Sequence, residues 1–174
     1  KPVLSIEVQN DLILAGNAKK HCVWDLRNLK NTIREEKFNE KKGRKIAFMP
    51  FAGGDVLEMR KGESIVRNLG CEMKKEGCLI DFGRKTLVDM KKINDFMVFL
   101  VENEKESMIY CYSFENNKAK KINVLALGKK YEQLKASEDG KIVGLLKEGE
   151  LEMIGYRDKE LNDLIKKKLK QIIS

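Results

Sequence analysis

The stretch Asp11–Arg27, DLILAGNAKKHCVWDLR, constrains this chain more than any other. Two apolar runs, Leu12–Ala15 and Cys22–Leu26, flank a polar bend made by Gly16, Asn17, Lys19 and Lys20. Short apolar runs on either side of a glycine–asparagine bend read as an antiparallel hairpin. In such a hairpin Val23 and Leu26 can face neighbouring units, and Trp24 can cover the apolar seam. Asp25 can cap the turn that follows.

Similar units recur along the chain. Val3–Val8 precedes the hairpin as a strand, and Thr32–Phe38 follows it as a polar, solvent-facing edge strand. Lys45–Phe51 and Asp55–Met59 flank Ala52-Gly53-Gly54, and Ser64–Leu69 reads as a further strand. Pro50 has no backbone donor, so the run containing it ends early or lies where that donor is not needed. Phe96–Val101 and Met108–Phe114 pair across Glu102–Ser107, and Asn116–Lys121 reads as a polar loop. Asn123–Leu127 and Tyr131–Ala136 come next. Lys141–Leu146 and Glu150–Tyr156 form the last hairpin, after a tight turn at Glu138-Asp139-Gly140. The second strands of four such pairs centre near Val23, Leu57, Cys111 and Met153. The widest interval, Met59 to Phe96, suggests a degenerate unit or missing material. A plain β-meander also gives hairpins every few tens of residues, so repetition alone does not fix the architecture.

The end of the chain has a different period. Asp158 can cap a helix in which Leu161, Leu164, Ile165, Leu169, Ile172 and Ile173 form one apolar stripe. Lys166, Lys167, Lys168 and Lys170 fill the other face and suit a helix C-terminus. The expected organisation is an all-β region over 1–156 and an amphipathic, basic helix over 157–174.

Composition narrows the function classes. Charged residues make up 36% of the chain and the net charge is +8. Such a balance suits a polyanionic partner, although lysine and glutamate interleave along most of the chain, as on any solvated surface. No apolar run approaches the roughly 18 residues of a membrane span, and no stretch reads as a signal peptide, so neither is expected. Cys22, Cys71, Cys78 and Cys111 form no CxxC pair and read as free thiols in a reducing nuclear or cytoplasmic setting. The chain opens on Lys1 rather than methionine, as an excerpt of a longer protein would.

Catalytic machinery is not evident. His21, the one histidine, sits between lysines in what reads as an exposed turn. Phe51–Asp55 is glycine-rich but lacks the GxxxxGK pattern and leads into a strand. Glu35-Glu36 and Glu148/Glu150 read as solvated surface. No cofactor or metal site is expected, and an enzyme is the weakest of the readings.

An apolar strand, a polar turn and a strand ending in Trp24-Asp25 resemble the middle hairpin of a WD-repeat propeller blade. The resemblance implies a WD-repeat-like β-propeller, partial or reduced, with about four blades' worth of strands and a C-terminal amphipathic helix. The usual Gly-His opening of each blade is absent. More narrowly, Ile46–Met59 with Gly54-Asp55-Val56, and Asp95–Phe114, look like blades of the non-catalytic WD-repeat subunit of the eukaryotic tRNA guanine-N7 methyltransferase. The lysine-rich segment Tyr156–Lys170 is similar to that family's C-terminal tail. This resemblance implies a scaffold that docks a methyltransferase catalytic subunit and helps hold tRNA. Lys19, Lys20, Lys41, Lys42, Arg44, Lys166, Lys167 and Lys168 are then the candidate phosphate contacts, with Trp24 and Asp25 structural. The family has a seven-bladed disc, more than this chain holds. The alternative is a propeller adaptor in ribosome biogenesis, trafficking or a nuclear complex, without RNA contact.

Overall fold

The computed structural model describes residues 5–17, 20–37, 44–50, 55–69, 76–93, 95–115, 118–136, 142–146 and 151–153. These residues fold into four consecutive antiparallel sheets. The first contains β1 (Ser5–Gln9), β2 (Leu12–Gly16), β3 (Lys20–Asp25) and β4 (Asn28–Lys37). The second contains β5 (Arg44–Phe48), β6 (Val56–Arg60), β7 (Ile65–Leu69) and β8 (Glu76–Asp81). The third contains β9 (Thr86–Ile93), β10 (Phe96–Glu102), β11 (Ser107–Glu115) and β12 (Lys118–Ala126). The fourth contains β13 (Tyr131–Ala136), β14 (Ile142–Leu146) and β15 (Leu151–Met153). Every sheet runs in chain order, each strand pairing with the one before it. The turn between β1 and β2 is tight, and Asn10 takes a positive φ of 53° there, a conformation asparagine tolerates well.

Strand alternation explains why the sheets stack. Successive side chains on a strand point to opposite faces. In β10, Met97, Phe99 and Val101 face the second sheet, while Phe96, Val98 and Leu100 face the fourth. In β6, Leu57 and Met59 face the third sheet and Val56 faces the first. These strands are mostly apolar because both their faces are buried, with Glu58 the buried charge within β6. Leu14 and Val23 meet Phe48, Val56 and Leu69 in the first seam. Phe82 and Phe99, with ring centroids 5.7 Å apart, close the second seam. Tyr131 and Leu134 meet Val98 and Ile109 in the third. At the first seam the Ile46 side chain lies against Gly16. A Cβ on Gly16 would lie 2.9 Å from Ile46 Cδ1 and 3.2 Å from His21 Cβ, so a side chain there would make Ile46 turn aside.

A backbone clasp repeats between sheets. Gly62 N–H donates to Leu87 O at 2.8 Å, and Leu87 N–H returns to Glu63 O at 2.7 Å. One unit later, Ser107 N–H donates to Lys129 O at 2.8 Å, and Leu127 N–H donates to Ser107 O at 3.0 Å. Each time, the turn before the third strand grips the segment entering the next sheet.

Several sequence expectations need correction. The interval Met59–Phe96 contains β7, β8 and β9, so its described residues are strands of regular blades rather than a degenerate unit. The third strands centre near Val23, Arg67, Cys111 and Glu152, which are 44, 44 and 41 residues apart. That even step replaces the irregular spacing read from Val23, Leu57, Cys111 and Met153. Leu57 lies on a second strand, and it was out of phase with the others. Lys118–Lys121, expected as loop, belong to β12, whose exposed lysines suit an outer strand. His21 is buried in β3, opposite in direction to exposed Lys20, rather than exposed in a turn. Leu26 is 42% exposed in the turn before β4 and faces no neighbouring sheet. The helix expected over 157–174 lies outside the described residues, as do Cys71, Gly53, Gly54 and the turn at Glu138-Asp139-Gly140.

Cys22 and Cys111 are buried and Cys78 is exposed, all as free thiols. Burial pushes the Cys111 thiol up to about 11 and raises that of Cys22 as well. Thiol labelling of the native protein followed by mass spectrometry is expected to modify Cys78 rapidly. Cys22 and Cys111 should label only when denaturant is added.

Candidate functional site

The first strands of the sheets, β1, β5, β9 and β13, lie beside one another. Two acidic side chains on them tie the sheets together. Asp89 is fully buried on β9. It pairs with Lys45 of β5 and accepts from its neighbour Met90 N–H at 2.6 Å. Its second oxygen accepts Leu134 N–H of β13 at 2.9 Å. One carboxylate thus links the second, third and fourth sheets. Glu7 of β1 does the same for the first three. It accepts Phe48 N–H at 2.8 Å and Lys92 Nζ at 3.1 Å. Lys92 also reaches Gln9, whose amide donates to Met49 O at 3.2 Å.

Between β1, β5 and β9 lies a pocket of about 430 Å³. Ile6, Val8 and Ile46 supply apolar wall, and Glu7, Lys91 and Lys92 supply charge. Burial lowers the Lys91 ammonium from its ordinary range; Asp89 opposes this, and Lys45 and Lys135 add to it. The pocket therefore combines a partly desolvated cation with exposed apolar surface. Ile6 is 68% and Val8 57% exposed.

The residues singled out from sequence lie elsewhere. Trp24 is half-buried on β3, opposite Ile13 and Thr32 in register. Asp25 ends that strand and accepts Arg27 N–H at 2.8 Å and Arg27 Nε at 2.9 Å. Arg27, through both side-chain and backbone bonds, holds the Asp25 carboxyl at about 2. Lys20 is exposed and pairs with Glu35 at 3.3 Å, and Lys37 pairs with the same carboxylate at 3.6 Å. Arg44 opens β5. Lys19, Lys41, Lys42, Lys166, Lys167 and Lys168 lie outside the described residues. Among the described residues no group of three or more His, Cys, Asp or Glu side chains could hold a metal ion. No helix among them is long and apolar enough to cross a membrane.

Sequence reasoning missed Glu7, Asp89, Lys91, Lys92 and Lys135. One signal was available: an acid set inside an otherwise apolar strand, as in Leu87–Met90, is costly to bury unless it is partnered.

Two solved structures share this arrangement. A chain of the mitotic checkpoint complex crystal structure aligns with a TM-score of 0.59 and 11% identity, over 87% of this chain and 48% of that one. The N-terminal domain of Nup159 aligns with a TM-score of 0.52 and 16% identity, over 91% of this chain and 46% of that one. Both are WD40-type β-propellers. The fold is a β-propeller. Its four described sheets are consecutive blades, and the chain spans about half the length of the propellers it matches. No family model and no curated protein sequence matches the chain.

Proposed function

We propose that this chain is a non-catalytic propeller scaffold that docks a partner protein in the nucleus or cytoplasm. One observation carries the reading. The two acids on the inner strands, Asp89 and Glu7, are each committed to a backbone N–H and a lysine of neighbouring blades. Carboxylates held this way fasten a rigid platform and are poorly placed for acid–base chemistry. Propellers of this kind bind through the surfaces such a platform presents.

The narrower form of the proposal is a subunit of a tRNA-modifying complex, like the WD-repeat partner of the guanine-N7 methyltransferase. It rests on the resemblance of Ile46–Met59 and Asp95–Phe114 and on the net charge of +8. Lysine contacts to phosphate would then add affinity that falls steeply with salt. A second reading, an adaptor without RNA contact, is favoured by one feature. Lys20 and Lys37 share Glu35, so the charge of that loop is partly neutralised within the blade.

Tagged protein purified from its native source tests the scaffold reading. A stoichiometric protein partner is expected, and its consistent absence would refute the reading. Titration with tRNA at about 50 and 200 mM salt separates the two forms, because binding through about six phosphates weakens on the order of 10³-fold across that range. Undetectable binding at the lower salt removes the RNA form and leaves the adaptor.

A further inference from the structure

The inner-strand acids are saturated, as are Lys45 and Lys92, but two further lysines on these strands are not. Asp89 is taken by Lys45 and two backbone N–H groups, and Glu7 by Lys92 and one. Lys91 on β9 and Lys135 on β13 have no hydrogen-bond or ion-pair partner among the described residues. Lys91 lines the pocket between β1, β5 and β9, and Lys135 is close enough to act on it electrostatically. The anion that acts on Lys91, Asp89, is already held by Lys45 and two backbone N–H groups, so it offsets only part of the hydration this half-buried ammonium has lost. A bound carboxylate would supply a partner. Beside it stand Ile6 and Val8, large apolar side chains left mostly exposed on an inner strand.

We propose that this pocket takes a short acidic peptide segment of the docked partner. One carboxylate of the segment sits on Lys91, and apolar side chains flanking it sit on Ile6, Val8 and Ile46. Three features favour a peptide over nucleic acid. The volume of about 430 Å³ suits a few side chains rather than a duplex. Five of the pocket's eight lining residues are apolar, which suits side chains more than a sugar–phosphate strand. Glu7 forms part of the lining and repels a line of phosphates more than a single carboxylate. This inference rests on the scaffold reading and names the chemistry of the partner.

The probe is a labelled peptide of alternating glutamate and leucine, compared with its glutamine–leucine counterpart and with a labelled oligouridylate. Anisotropy titrations use wild type, Lys91→Gln, Lys91→Glu and Ile6→Ser. Circular dichroism and thermal melting check that each variant is folded. The acidic peptide is expected to bind wild type in a salt-sensitive way. Lys91→Gln should weaken it by about tenfold and Lys91→Glu by more, as for loss of a charge-assisted bond. Lys135→Glu, at an exposed position, provides a further folded variant and should weaken binding by a smaller factor. Equal binding of the neutral peptide, or unchanged affinity in both Lys91 variants, overturns the proposal. So does oligouridylate binding that depends on Lys91 when the acidic peptide fails to bind. Partner capture from the native source separates the two levels. A wild-type yield of partner with Lys91→Glu rejects this pocket and keeps the scaffold, whereas no partner with the wild type rejects the scaffold.

Discussion

Replacing Asp89 with alanine is expected to destabilise the protein by about 3–5 kcal/mol, the cost of breaking a buried, partnered charge. The residue is fully buried and its carboxylate joins three blades through Lys45, Met90 N–H and Leu134 N–H. Alanine leaves the Leu134 and Met90 N–H groups without their acceptor at a buried position. It also leaves Lys45 facing Lys91 without the anion between them. Asp89→Asn keeps the shape and one acceptor oxygen, so it should cost less while still losing the Lys45 attraction. Chemical denaturation with the slope monitored resolves the two variants. A midpoint shift at constant slope shows a stability change, and an altered slope shows that the blades no longer unfold together. Equal stability of Asp89→Ala and wild type would show that the first strands are not tied in this way.

Phe99→Ala is expected to cost a similar amount, about 3–5 kcal/mol, for a different reason. Phe99 is wholly buried at the centre of β10 and faces the second blade. It packs 5.7 Å from Phe82 and 5.8 Å from Tyr112, centroid to centroid, the latter edge-on. Removing the ring leaves a cavity that two sheets, held in register by their ladders, can close only partly. Phe99→Leu fills most of that space and should cost less. Thermal melts of the three proteins give the order directly, with alanine lowest.

The two effects address different parts of the fold, and they were not equally legible. The hairpin Leu12–Asp25, with Val3–Val8 before it and Thr32–Phe38 after it, could be read because glycine, asparagine and aspartate mark its turns. The first blade forms essentially there. Strand β9 was missed because Asp89, Lys91 and Lys92 interrupt its apolar run. Those interruptions are the inner-strand side chains that fasten and line the platform. The first half of β12, Lys118–Lys121, reads as loop because its outer-strand lysines alternate with apolar residues too weakly, while Asn123–Leu127 reads as strand. Leu57 was set one strand out of phase because second and third strands are both buried on two faces, so periodicity cannot rank them. His21 was misjudged from its lysine neighbours, although strand alternation sends it to the face opposite Lys20. Turn chemistry and burial were thus visible in the sequence. The pairing of distant charges, Glu7 with Lys92 or Lys45 with Asp89, is a product of the fold and leaves no local mark.

All of this requires that consecutive sheets pack face to face as blades. The direct test is a double-mutant cycle on Phe82, which follows β8 in the second blade, and Phe99 of β10 in the third, each changed to leucine singly and together. Packed blades predict a coupling energy of about 0.5–1.5 kcal/mol, the range for aromatic pairs in contact. Coupling indistinguishable from zero, with both single variants folded, would contradict the account.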